Sequence, residues 1–502
     1  MKSTSLLAGA IAMSLLVAGC VAEQPSITKA RGDTSIRVVL ASEPTTLNPM
    51  FGVTADSIIG ISMVEPFVRL DDDLRPSTKG LATAWERTSD TTWRFTVKDG
   101  VKFHDGTNLN AAAVARSLQI QQSEPGPLAA FLKPFKGIAV DERTLEVKTE
   151  KPTNVTPASL ASLFVVSPDA YARMGKDAFA KAPVGSGPYV FDRWQFGRSV
   201  SAHKNIEYWD AVQGPSGIEW SFAPDPDTRL NLLLGGQADV AADLTSTQVS
   251  RLPAGFRRQG HPTTGIMKLQ LNKEVAPLND PRLRKAISMA IDRQAIVKTI
   301  FAGQDASSYD LYFNEEFGIE SGVEVPPHDL QAARSLVSQV GEGTVVPLRF
   351  PVGLYPKDKQ VAEAVAGMLG NIGLSVKQVP VDASTFFQEK NKDAWDGAFL
   401  HVSRIIFPHP SLYVGAYLLP SSTSHYCKNP RYKELNDAGL AAPDENAMRA
   451  AYRTIEEVTL NEDMCWVSIY QQVIGYAVSD RVAAFTVGRD QLINYRSIKV
   501  AS

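Results

Sequence analysis

Residues 267–300 constrain the fold of this chain more than any other stretch. Met267, Leu269 and Leu271 alternate with their neighbours, the period of a strand with an apolar face. Asn272 to Leu278 read as a loop, and Asp280 as an N-cap with Pro281 at the first helical position. Leu283, Ile287, Ala290, Ile291, Val297 and Ile300 then recur at helical spacing. Arg282, Arg284, Lys285 and Arg293 lie largely off that stripe. A strand, a loop and an amphipathic helix in succession commit the region to an α/β architecture. The alternation continues downstream. Helices are expected near 329–339, 357–371, 430–441 and 446–461, with strands near 346–351, 374–381, 396–402, 465–470 and 473–478. Upstream, Ile36, Val38 and Leu40 give a strand signal, as do Trp93, Phe95 and Val97. Ile138 and Val140, then Leu145 and Val147, flank Asp141-Glu142-Arg143 as a hairpin. Asn110 is placed to cap a helix through Val114 and Leu118. No repeat of solenoid period is found.

With 502 residues, the chain is too long for one ordinary core and calls for two or three compact units. Hydrophobic residues are 44% and charged residues 21%, a soluble globular balance. Net charge is −3, so no basic excess exists to hold phosphates, and nucleic acid is not an expected partner. No low-complexity tract suggests a disordered arm.

Met1-Lys2 precedes an apolar run from Leu6 to Val17 that closes on Val17-Ala18-Gly19-Cys20. This is an export signal, too short to span a bilayer. It resembles the bacterial lipobox, whose cysteine becomes the lipidated N-terminus. Residues 1–19 are then the signal, and 20–33 a tether lipidated at Cys20. A plain signal peptide with an incidental Cys20 is the alternative. The other cysteines, Cys427 and Cys465, are free to form a disulfide in an oxidising compartment, or to pack as two buried thiols.

Several segments together resemble the family-5 solute-binding proteins of ATP-driven importers. These are Ser42-Glu43-Pro44-Thr45-Thr46-Leu47-Asn48-Pro49, Glu65-Pro66-Phe67, Leu81-Ala82-Thr83-Ala84-Trp85, and Trp93-Arg94-Phe95 through Phe103-His104-Asp105-Gly106. Gly185-Ser186-Gly187-Pro188-Tyr189, Asn205 to Trp209, and Leu271-Asn272 through Asp292-Arg293 complete the set, in the family's order. The residue types in these blocks speak for structure: Gly185 and Gly187 for tight backbone passage, Trp93 and Phe95 for core, Asp105-Gly106 for a turn. The resemblance implies a two-lobed periplasmic-binding-protein clamshell (type II, large cluster C-like) with an extra subdomain. Lobe I would combine 34–48, 185–262 and 481–502. The extra subdomain would cover 49–184, and lobe II 265–480. It implies a monomer, anchored to the membrane only through lipid, in the periplasm or at the cell surface. This protein would capture a small solute and hand it to the permease subunits of an ABC transporter, with no cofactor and no resident metal.

Peptide-binding members carry an aspartate after a Trp-Asp-Gly-like strand, here Ala394 to Leu400. The following segment, His401 to Pro410, has no aspartate; it has Arg404 and two histidines. Arg404 is therefore expected to grip an anionic solute in a bidentate fork, against the alternative of a surface arginine. Pro408-His409 looks like a pair found in relatives that bind metal chelates, and His409 is the second expected contact, against the alternative of a surface histidine. His401, His409 and His425 show no closed zinc spacing. Aromatic candidates for the cleft are Phe51, Trp395, Phe407, Tyr413, Tyr417 and Tyr470, most of which are expected to serve the core instead. The solute would be peptide-like, opine-like or a metal chelate. Rival readings are an exported hydrolase of glycosidase type and a tethered sensor or chaperone adaptor. Against the first, the chain has no Gly-x-Ser-x-Gly elbow, His-Glu-x-x-His helix or phosphate loop.

Overall fold

The computed structural model describes residues 34–50, 54–72, 74–123, 127–303, 306–312, 323–390, 395–404, 409–420, 422, 426–488 and 492–501. The export signal, Cys20, Phe51, Phe407 and His425 lie outside these residues, as does the Arg404 side chain.

One mixed sheet runs through the protein. Its strands are β1 (Ile36–Leu40), β6 (Tyr189–Gln195), β7 (Ser199–Lys204), β8 (Gly217–Phe222), β9 (Val240–Leu244), β10 (Phe256–Leu271), β11 (Val345–Pro351), β12 (Ser375–Val381), β13 (Ala398–Arg404) and β14 (Trp466–Ser479). A separate sheet contains β2 (Ala82–Ser89), β3 (Thr92–Val97), β4 (Lys136–Ala139) and β5 (Thr144–Lys148). The large sheet has the order β12-β11-β13-β10-β14-β9-β1-β8-β7-β6. β10 and β14 are antiparallel, and their long ladder reaches both halves of the sheet. At one end β10 pairs with β13 from Gly265 to Leu271; at the other, β14 pairs with β9. The β10–β14 register shifts between Pro262 and Ile266, where a bulge interrupts the ladder midway between the halves.

Three main cores follow. Val38, Leu40, Tyr189, Trp220 and Val240 belong to one. Leu269, Leu283, Ile287, Leu348 and Val365 belong to the second. In the third, Phe95, Val97 and Leu145 of the small sheet pack against Val114 and Leu118 of α1 (Ala111–Ser123).

The helices of the second half begin where local chemistry sets them. In α2 (Pro281–Ala290), Asp280 accepts from the Arg282 amide. The sequence pattern reads as a continuous helical stripe to Ile300, but the chain breaks after Ala290 and restarts as α3 (Arg293–Ile300), because Asp292 caps the Ala295 amide. Arg284 and Arg293, expected off the apolar face, are buried. Their guanidinium groups donate to backbone carbonyls, Arg284 to Leu278 and Asp463 and Arg293 to Ser468. The expected helices near 329–339 and 357–371 are α4 (Leu330–Val340) and α5 (Asp358–Gly370). After α6 (Pro410–Tyr417) come α7 (Pro430–Ala441), as expected, and α8 (Glu445–Glu457). The strands expected at 465–470 and 473–478 are one continuous strand, β14.

The family-like blocks converge on one carboxylate. Glu65 accepts hydrogen bonds from Arg69 (2.8 Å), Tyr208 (2.6 Å), Trp209 (2.8 Å) and Ser186 (3.2 Å). Burial, then Glu65 itself, pushes the Tyr208 pKa up, so the phenol keeps the proton it donates. A Cβ on Gly185 would fall 2.3 Å from the Met63 carbonyl oxygen, and one on Gly187 2.6 Å from it, so the chain can pass here only without side chains.

Cys427 and Cys465 form a disulfide, with Cα atoms 5.8 Å apart. It joins the approach to α7 to the start of β14. Asp463 reinforces the same junction by pairing with Lys273 at 2.7 Å and accepting from Tyr432 at 2.7 Å and Asn429 at 3.0 Å.

Candidate solute-binding site

The face of β10 opposite Met267, Leu269 and Leu271 carries Ile266, Lys268 and Gln270, and it is buried as well. Strand pairing sets Lys268 beside His401 of β13 and Ser468 of β14, with Gln270 beside Trp466. The sheet thus has an apolar side against α2 and α5 and a polar, aromatic side beneath α6.

Lys268 is the centre of that layer and is fully buried. Its ammonium donates to the Leu311 carbonyl and to the Tyr413 hydroxyl at 2.7 Å. It lies 4.6 Å from the Tyr413 ring centroid and 5.3 Å from that of Trp466, within cation–π range. Loss of hydration lowers its pKa well below that of a free lysine, while Glu456 and Asp310 pull the other way. Glu456 accepts from the Leu311 amide at 2.7 Å, so the two buried ionisable groups hold the backbone of one residue at both its N–H and its C=O. Around Lys268 the rings close up. Tyr417 is 4.8 Å from Tyr413 and meets Trp466 edge-on at 5.8 Å, and His401 lies 5.3 Å from Trp466. Tyr417 is only half-buried, at the rim of the layer. The indole N–H of Trp466 is buried and has no acceptor among the described residues.

The expected site residues divide. Tyr413 and Tyr417 sit in this layer. Trp395 lies elsewhere, in a satellite core with Phe386, Phe399 and Tyr426, its N–H donating to Glu389 at 3.2 Å. Tyr470 packs in the second core against Phe301, with ring centroids 4.6 Å apart. His409 is neither a surface residue nor open to a ligand: it is the buried N-cap of α6. Its Nδ1 accepts from the Ser411 amide at 3.1 Å, and Nε2 lies 3.1 Å from the Met448 sulfur. Burial pushes its pKa down to about 3, so it is a neutral ring whose lone pair is spent on the helix. Arg404 ends β13, at the mouth of the segment on which the sequence placed the solute.

Sequence reasoning passed over Lys268, Trp466 and Glu456. The available signal was a lysine inside an alternating strand, informative only once both faces of that strand are known to be covered.

The sequence places the chain in a family of solute-binding transport proteins, which are not enzymes. Residues 78–424 match the bacterial extracellular solute-binding proteins, family 5 Middle, and the chain belongs to that family. The glutathione-binding protein GsiB of Salmonella typhi is 27% identical over 362 residues, covering 69% of each chain. The probable D,D-dipeptide-binding periplasmic protein DdpA of Escherichia coli (strain K12) is 25% identical over 472 residues, 89% of this chain and 90% of that one. Among solved structures, NikA from Brucella suis in complex with Fe(III)-EDTA superimposes with a TM-score of 0.84 at 19% identity, covering 93% of this chain and 100% of that one. The dipeptide binding protein from Pseudoalteromonas in complex with Met-Leu gives a TM-score of 0.80 at 20% identity, with the same coverage. The likeness to these two establishes the two-lobed α/β fold.

Proposed function

We propose that this chain is the solute-capturing lipoprotein of an ABC importer, tethered through Cys20. It takes a small anionic solute between two lobes and presents it to the permease. Family membership over residues 78–424 carries the transport reading. Residues 34–48, 185–262 and 481–502 form one lobe, 49–184 its added subdomain, and 265–480 the other lobe. Closure follows because a solute touching both lobes stabilises the closed state selectively.

The solute is peptide-like, opine-like or a metal chelate. The anionic preference rests on Arg404 and on the lack of any aspartate from His401 to Pro410. The indole N–H of Trp466, without an acceptor among the described residues and beside half-buried Tyr417, supports an acceptor group on a flat or apolar solute. Relatives named for glutathione and D,D-dipeptides make acidic short peptides the first compounds to test.

Mass spectrometry of ligand released from the purified protein identifies the solute. Calorimetry with that solute then tests Arg404→Ala, which is expected to weaken binding by about 2–5 kcal/mol, because a desolvated anion loses its partner. An affinity within about twofold of the parent, less than ~0.5 kcal/mol, would remove Arg404 from the site. Cys20→Ala is expected to free the protein from the membrane fraction with solute binding intact, and continued membrane retention would rule out the lipid anchor.

A further inference from the structure

We infer that Asn154 is a latch that holds the two lobes closed by capping a helix on the opposite side of the cleft. This rests on the proposed lobe assignment, in which Asn154 and α7 belong to different bodies.

Each partner is fixed within its own body. The chain before Asn154 is tied to the small sheet: the Thr149 amide donates to Thr91 at 2.9 Å, and the Trp93 indole donates to the Thr153 carbonyl at 3.1 Å. α7 is fixed at its other end by Cys427–Cys465 and by the Asp463 junction. Between these anchors, the Asn154 amide donates to the Leu440 carbonyl at 3.0 Å, and its side-chain Nδ2 donates to the Gly439 carbonyl at 3.1 Å. Both carbonyls lie in the last turn of α7, where helical carbonyls lack their usual donors four residues on; that of Gly439 receives only a long bond, 3.4 Å, from the Ala442 amide. Two residues beyond Ala441 stands Pro443, which has no N–H to return to them. From 285 positions away Asn154 thus gives Leu440 a donor and Gly439 a second, shorter one. Its Oδ1 is buried and without a donor among the described residues, so the side chain is placed here for what it donates.

Opening the cleft would return these carbonyls to water. The two hydrogen bonds therefore bias the open–closed equilibrium without touching solute, and a residue of this kind alters affinity through the closed population alone.

The contact itself can be trapped. The 3.0 Å approach of amide and carbonyl keeps the Cα atoms of residues 154 and 440 within about 7 Å. In full-length protein carrying Cys20→Ala, the pair Asn154→Cys and Leu440→Cys should therefore form an intramolecular disulfide on mild oxidation with diamide. Its failure to form overturns the latch. The energetic weight is read from spin labels at Glu86→Cys and Glu434→Cys, both exposed and one on each body, by pulsed electron–electron distance measurement. Asn154→Ala should raise the open-to-closed ratio roughly five- to tenfold. Asn154→Asp should raise it at least as much, because a carboxylate cannot donate and is repelled at a helix C-terminus. If the disulfide forms but both variants match the parent distance distribution, the latch is wrong and the clamshell reading stands. If the labels keep one fixed distance in parent and variants alike, with no second population even after solute is stripped by denaturation and refolding, the moving-lobe reading falls with it.

Discussion

Glu65→Ala is expected to destabilise the protein by about 3–5 kcal/mol, the range for removing one partner of a buried charge pair. The carboxylate is buried, and it takes hydrogen bonds from Arg69, Tyr208, Trp209 and Ser186. Alanine would leave a half-buried guanidinium with its main acceptor gone and three further donors facing a cavity. These three donors lie more than a hundred residues from Glu65 along the chain, so local relaxation cannot find them new acceptors. Glu65→Gln is the informative companion. It keeps shape and volume, but its NH2 must face a donor that it cannot accept from, so it should lose a large part of the same stability. Tyr208→Phe removes the hydrogen bond to Glu65 and the one accepted from Arg69, and should cost about 1–3 kcal/mol. Urea unfolding at constant slope measures all three. A Glu65→Ala midpoint indistinguishable from the parent's would mean that this junction does not carry the stability assigned to it.

The second large effect is on pH. His409 has a folded pKa of about 3, against about 6.5 in the unfolded chain. Between these values the unfolded state binds a proton that the folded state refuses, so stability falls as pH falls through this window. The contribution is fully present above about pH 6.5 and declines by about 1.4 kcal/mol per unit below it. From pH 7 to 4.5 His409 alone should remove about 2–3 kcal/mol. His409→Asn retains an acceptor at the N-cap and removes the titration. Denaturant midpoints of parent and variant at both pH values isolate the effect, since the shared carboxylates cancel. Burial also lowers the His104 pKa; it adds a loss of the same sign, but equally to both proteins. Parallel pH profiles for the two proteins would show that the ring takes up its proton without leaving its buried place.

What was legible in the chain is what neighbours in sequence decide. Pro430–Ala441 formed where a helix was expected near 430–441, and the structure adds Asn429 as its cap, because a helical period and a cap are written within a dozen residues. The same holds for α2, whose cap is Asp280, and for the turn at Asp105-Gly106, where Gly106 adopts φ +82°. The family resemblance supplied the two lobes, which no local pattern could. Tertiary structure decided the rest, because burial of a second face depends on partners far along the chain. Lys268 sits in a strand whose apolar alternation was plain, yet nothing near it in sequence reveals Tyr413 or Leu311 above it. Arg284 and Arg293 looked like the solvated face of a helix until carbonyls from the region of β14 came to meet them. His409 looked like an accessible ligand until Met448 and Tyr452 of α8 covered it. A polar side chain reports its own chemistry in the sequence, but whether it meets water, solute or a distant backbone is set by long-range packing.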